Sequence, residues 1–238
     1  VEQKSSNVLV APVGSSSATA VLNIAYVNTS GSERGLLGVA VDPGWPTRPY
    51  LYVHFNQAPS GKIWIALYTA SGSLSDPAST AITLGSRHVI INDVPDAAFN
   101  HNGGTLRFGP DGMLYAAVAS GKLLRMNADG SAQQVFARTG GRVLGFAFDV
   151  SGNLMAADAF KGLLRISPDG QVRVLADRVG GDPIRFGLVE SFNRPGGHVT
   201  GIMFAPTLLG AKRVQLLSEL VPNVKRIALL VNPDNFNA

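Results

Sequence analysis

Leu106-Arg107-Phe108-Gly109-Pro110-Asp111-Gly112-Met113-Leu114-Tyr115 reads as two short strands around a tight turn. Leu106 and Phe108, then Met113 and Tyr115, occupy alternate positions, the period of a half-buried strand. Between them Pro110 presets φ, Asp111 can bond back to the backbone, and Gly112 accepts the left-handed conformation. The pattern returns downstream. Gly112-Met113-Leu114 is answered by Gly152-Asn153-Leu154, Leu123-Leu124-Arg125 by Leu163-Leu164-Arg165, Asp129-Gly130 by Asp169-Gly170, and Gly140-Gly141 by Gly180-Gly181. Each offset is 40 residues (152 − 112, 163 − 123, 169 − 129, 180 − 140). A fixed period of about 40 residues with several short strands per unit is the signature of propeller blades.

Composition sets the outer bounds. The 238 residues are 45% apolar and 15% charged, enough to build a substantial core and unlike a disordered chain. The 27 glycines and 14 prolines suit many short strands. A net charge of +4 is spread along the chain without a dense basic run or interleaved aromatics, so no nucleic-acid partner is expected. The absence of cysteine excludes disulfides, thiolate metal sites and cysteine nucleophiles. No apolar run has the length of a membrane span, and no secretory leader is expected within these residues.

Outward from the hairpin, Asn7–Val10 and Ala20–Ile24 read as strands, and the chain is expected to begin inside a blade. Leu36–Val41, bounded by Gly35 and Asp42-Pro43, reads as a buried inner strand. Tyr50–Phe55 and Ile63–Tyr68 follow as strands, then a polar insertion from Gly72 to Ser86, then a strand at His88–Ile91. His54, His88 and His198 stand alone and are expected on strand or loop surfaces rather than as ligands.

Two motifs in this order carry a resemblance. Glu33-Arg34-Gly35-Leu36-Leu37-Gly38-Val39-Ala40-Val41-Asp42-Pro43 is the first. Phe99-Asn100-His101-Asn102-Gly103-Gly104, followed by Phe108-Gly109-Pro110-Asp111-Gly112, is the second. Over about residues 1–120 the chain resembles the glucose/sorbosone dehydrogenase family. That resemblance implies a six-bladed propeller, oxidation of a sugar with pyrroloquinoline quinone and calcium, and a periplasmic or secreted location. It also implies that His101 is the general base for the sugar hydroxyl, a task suited to an imidazole titrating near neutral pH. Glu33 falls where the family faces a polar residue to the same site. Asn100 replaces an acidic neighbour seen in some members and cannot raise the basicity of His101. The basic residues that clamp the quinone's carboxylates in the family have no counterpart in the sequence, and neither has a calcium loop. The implied activity is therefore expected to be impaired.

From about residue 121 to 186 the wording changes. Gly141–Asp149, Gly152–Ala159 and Lys161–Arg165 are similar to strictosidine synthase-like and lactonase-like propellers, some of which hold a metal through carboxylates. By that resemblance Asp158 is a candidate metal ligand; read on its own it is a turn-stabilising residue at a blade edge. From about 187 to 238 the chain is similar to periplasmic substrate-binding proteins of transporters, through Gly187–Gly201, Ala211–Pro222 and Arg226–Pro233. Thr207–Leu220 has a helical apolar face and Arg226–Val231 is a continuous apolar strand.

The expected architecture is mainly β: a partial propeller of three to four blades over residues 1–186, then a strand–helix–strand α/β segment over 187–238. Three resemblances in series suggest a chimera. Open sheet edges would favour self-association. The competing functions are a quinone-dependent sugar dehydrogenase, a non-catalytic propeller scaffold binding a ligand or protein, and a metal-dependent lactonase.

Overall fold

A computed structural model describes residues 3–31, 34–95, 103–118, 121–179 and 182–184. The chain divides into two compact units, Val1–Gly197 and His198–Ala238, and every described residue lies in the first. The segment expected as α/β, 187–238, is outside the described residues.

The described residues are nearly all β and form a partial propeller. A two-stranded sheet comes first, β1 (Asn7–Val10) against β2 (Thr19–Asn23). Three four-stranded antiparallel sheets follow, each with its strands in chain order. The second sheet contains β3 (Leu36–Val41), β4 (Tyr50–Gln57), β5 (Lys62–Gly72) and β6 (Ile82–Pro95). The third contains β7 (Leu106–Phe108), β8 (Leu114–Val118), β9 (Lys122–Met126) and β10 (Gln134–Arg138). The fourth contains β11 (Val143–Phe148), β12 (Leu154–Asp158), β13 (Gly162–Ile166) and β14 (Val172–Ala176). A short pair, β15 (Arg178–Val179) with β16 (Asp182–Pro183), closes the described region.

Alternation along the strands stacks the sheets face to face, because side chains two apart share a face. On β4, Leu51, Val53 and Phe55 pack with Val8 and Ile24 of the first sheet region, while Tyr52 turns to Leu106, Leu114, Ala116, Val118 and Met126 of the third. On β8 the same division recurs: Tyr115 and Ala117 face Phe146, Leu154, Ala156 and Leu164 of the fourth sheet. All five residues of β8 are buried, as expected of a strand covered on both sides. Aromatic edges mark both seams. Tyr52 meets Phe108 with ring centroids 5.3 Å apart, and Tyr115 meets Phe148 at 5.0 Å.

The hairpin expected at 106–115 is present, with Phe108 opposite Leu114 and Gly112 at φ 75° in the turn. Three expectations need correction. The stretch Gly72–Ser86 is not all insertion, because β5 runs to Gly72 and β6 starts at Ile82, pairing Gly72 with Ile82 and Ala70 with Leu84. Ile82 and Leu84 alternate with polar residues, so the polar reading hid a strand. Second, β3 is not buried throughout: Val39 and Val41 are 39% and 49% exposed. They line an apolar cavity of about 210 Å³ with Val8, Val10, Trp45 and Leu51. Third, His54 lies in the core rather than on a surface.

Candidate functional site

Strand direction alternates within each sheet, so the sheets present two rims. The starts of β3, β5, β7, β9, β11 and β13 lie on one rim, together with the ends of the strands between them. Lys62, Lys122, Arg138, Arg142 and Lys161 fall at or beside these positions, with the acidic Asp93, Asp158 and Asp177, so the rim is basic on balance. The opposite rim carries the turn aspartates Asp42, Asp111, Asp129, Asp149 and Asp169. Hydrogen bonds from Ser131, Asn153 and Ser167 hold the carboxyls of Asp129, Asp149 and Asp169 below the usual range, so these three stay ionised at neutral pH beside the arginines Arg48, Arg125, Arg165 and Arg173 of the same rim.

The two motif-bearing strands, β3 and β7, touch at the basic rim. A Cβ on Gly38 would come 1.9 Å from the carbonyl oxygen of Gly104, and a Cβ on Gly104 would come 2.5 Å from Leu37 Cβ. Gly104 also sits at φ 122°, a region closed to most side chains. Glycine is required at both positions for the backbones to approach. This explains the Gly-Gly pair at 103–104 and the Gly38 of the first motif. Glu33, Asn100 and His101, the residues expected at the site, lie outside the described residues.

Next to this contact stands a group the sequence reading undervalued. His54 is opposite Gly38 on β4 and is fully buried, with neither ring nitrogen hydrogen-bonded. Burial alone pushes its pKa down to about 4, so the imidazole is neutral. Asn56, two residues on, shares its face. Asn56 accepts from the Gly35 amide at 2.9 Å and keeps an unpartnered Nδ2. The signal in the sequence was a histidine inside Tyr-Leu-Tyr-Val-His-Phe, where every neighbour is apolar or aromatic.

Asp158 is buried at the end of β12. The Thr139 hydroxyl donates to its Oδ2 at 2.7 Å, and the amides of Phe160 and Lys161 donate to Oδ1 at 3.0 and 3.1 Å. Its carboxylate thus ties the β12–β13 turn to the end of β10. Among the described residues no group of three or more His, Asp or Glu side chains is placed to hold a metal ion. No helix among them is long and apolar enough to cross a membrane. His88, on β6, is exposed.

Two further polar clusters hold the fold. Asp42 accepts from the Gly44 amide at 2.7 Å and pairs with Arg48 at 2.8 Å, with the Tyr52 hydroxyl 3.4 Å away. Asp111 accepts from Tyr115 at 3.0 Å and pairs with Arg125 at 2.7 Å. Burial first, then the adjacent carboxylate, raises both phenols; Tyr115 is pushed up to about 12. They are neutral hydrogen-bond donors, not bases.

Comparison with known proteins places this arrangement. The family model for glucose/sorbosone dehydrogenase matches residues 1–162, and that for the ABC transporter substrate binding protein matches residues 176–238. Among solved structures, the PQQ-bound aldose sugar dehydrogenase of Streptomyces coelicolor is similar at TM-score 0.59 and 23% identity, over 77% of this chain and 61% of that one. A glucose dehydrogenase-type oxidoreductase of Thermus thermophilus gives 0.57 and 20%, over 76% and 63%. The apo-form soluble aldose sugar dehydrogenase of Escherichia coli gives 0.51 and 19%, over 68% and 55%. The chain therefore spans about three fifths of the length of these proteins, and the likeness is one of fold.

Proposed function

The chain belongs to the glucose/sorbosone dehydrogenase family, and from that premise we propose that it is a sugar-oxidising propeller of low turnover. The observation that carries this reading is the close packing of Gly38 against Gly104, which joins the strands that follow the two family motifs. In this reading His101 is the general base that takes the proton of the sugar hydroxyl, and Glu33 supplies a polar wall. Asn100 orients by hydrogen bonding without adding charge. Asp158 holds its turn. The hydride acceptor implied by the family is pyrroloquinoline quinone, with calcium. The basic rim has the sign to attract such an anionic cofactor. The sequence has no counterpart of the family's clamp for its carboxylates or of a calcium loop, and this is the reason for expecting low turnover.

A second reading is a non-catalytic propeller that binds a ligand or protein through the basic rim. The chain's two parts, 1–186 as blades and 187–238 as an α/β segment, then derive from two sources joined as a chimera. The adjoining family matches at 1–162 and 176–238 support that reading. Strictosidine synthase-like wording over 121–186, a periplasmic setting and association through open sheet edges belong to the same proposal.

The test is dye reduction by aldoses after incubation with pyrroloquinoline quinone and calcium. The expected result is slow, aldose-dependent reduction that falls by about 100-fold or more in His101→Ala. No aldose-dependent reduction, together with an unchanged cofactor spectrum, would establish the scaffold instead.

A further inference from the structure

We propose that Arg165 and Arg173, on the outer strands of the fourth sheet, form a binding site for a phosphate-type oxyanion. Arg165 on β13 and Arg173 on β14 are direct cross-strand partners. Directly opposed side chains share a face, with Cβ atoms about 4.5–5.5 Å apart, and two like charges in that arrangement repel. Both residues are exposed, and among the described residues neither makes an ion pair or a side-chain hydrogen bond.

The repeat supplies an internal control. One period earlier the residue matching Arg165 is Arg125, whose cross-strand partner is the neutral Gln134. Arg125 is matched by a carboxylate, Asp111, at 2.7 Å. In the fourth sheet the glutamine has become a second arginine, and the nearby carboxylates are occupied. Asp149 feels the charge of Arg165, but its oxygens accept from the Ser151 and Asn153 amides and from Asn153 Nδ2. Asp169 accepts from the Ser167 hydroxyl. Two guanidinium groups carried on directly opposed positions, neither in an ion pair or a side-chain hydrogen bond among the described residues, match a tetrahedral oxyanion that can take both forks. The site lies on outer strands and does not depend on the proposed sugar oxidation.

The experiment is a titration with inorganic phosphate at constant ionic strength, balanced with sodium chloride. It is read by the Arg Nε–H resonances and by thermal melting. The expected result is a saturable shift of the Arg165 and Arg173 signals at millimolar phosphate, with a rise in Tm. Arg173→Gln, which restores the pairing found one repeat earlier, should abolish the Arg165 shift. Without phosphate the same variant should melt higher than wild type by up to about 3 °C, because the repulsion is gone. A linear, non-saturating response, or the same response in Arg173→Gln, would reduce the effect to general screening and overturn the proposal.

Discussion

The third and fourth sheets are the same blade written twice, one period apart, and they differ in how they treat charge. Their cores correspond: Leu114 and Leu154 are fully buried, as are Met126 on β9 and Ile166 on β13. Their turns correspond too, with Gly112 and Gly152 at φ 75° and 78°. Yet Asp111, besides bonds within its own hairpin, pairs with Arg125 on β9, whereas Asp149 spends its oxygens inside its own hairpin. The period therefore constrains backbone and core, where one face must fit the next sheet. It leaves the polar edge free to diverge, because solvent tolerates many solutions there.

The most forceful way to break the comparison is in the core. Leu114→Ala and Leu154→Ala should each cost about 2–5 kcal/mol by denaturant unfolding, since each empties a fully enclosed position. A large inequality between them would mean that the blades are not equivalent.

The seams sharpen it further. The seam between the second and third sheets contains a buried imidazole without a hydrogen-bond partner, whereas the buried polar group between the third and fourth, Asp158, is held by Thr139 and two amides. His54 has a folded pKa near 4 against an ordinary 6.5, so its contribution is fully present above pH 6.5 and is lost as pH falls toward 4. The loss amounts to about 3 kcal/mol. Unfolding measured from pH 7.5 to 4 should show it, and His54→Leu should flatten that part of the profile.

Smaller effects test the polar edges. Asp111→Ala should cost about 1–2 kcal/mol, through the Tyr115 hydroxyl bond and the half-exposed Arg125 pair. Asp149→Ala should cost a similar amount, about 1–2 kcal/mol, because it loses the bonds that satisfy the backbone and side-chain amides of buried Asn153. Smallest is Arg173→Gln, a gain of at most about 1 kcal/mol from relieved repulsion.

Much of this architecture was legible before any coordinates. The Gly-Pro-Asp-Gly turn and the 40-residue echo of Leu123-Leu124-Arg125 identified blades because turn chemistry and strand period are local properties. The exposure of Val39 and Val41 was not legible, since it depends on what distant parts of the chain pack against β3. Nor was the burial of His54: one histidine in an apolar strand does not declare which sheet will cover it. The β5–β6 continuation past Gly72 was hidden because polar residues alternate with Ile82 and Leu84 on an outer strand. For the site, the glycines beside His101 were visible as a motif. Their reason, the contact of Gly104 with Gly38, required the third dimension.

The face-to-face stacking of sheets on which all of this depends is tested most directly by aromatic proton contacts. NOEs should link the ring protons of Tyr52 with those of Phe108, and those of Tyr115 with those of Phe148, at the centroid separations of 5.3 and 5.0 Å. Intact strand pairing within each sheet but no NOE across either seam would contradict the account.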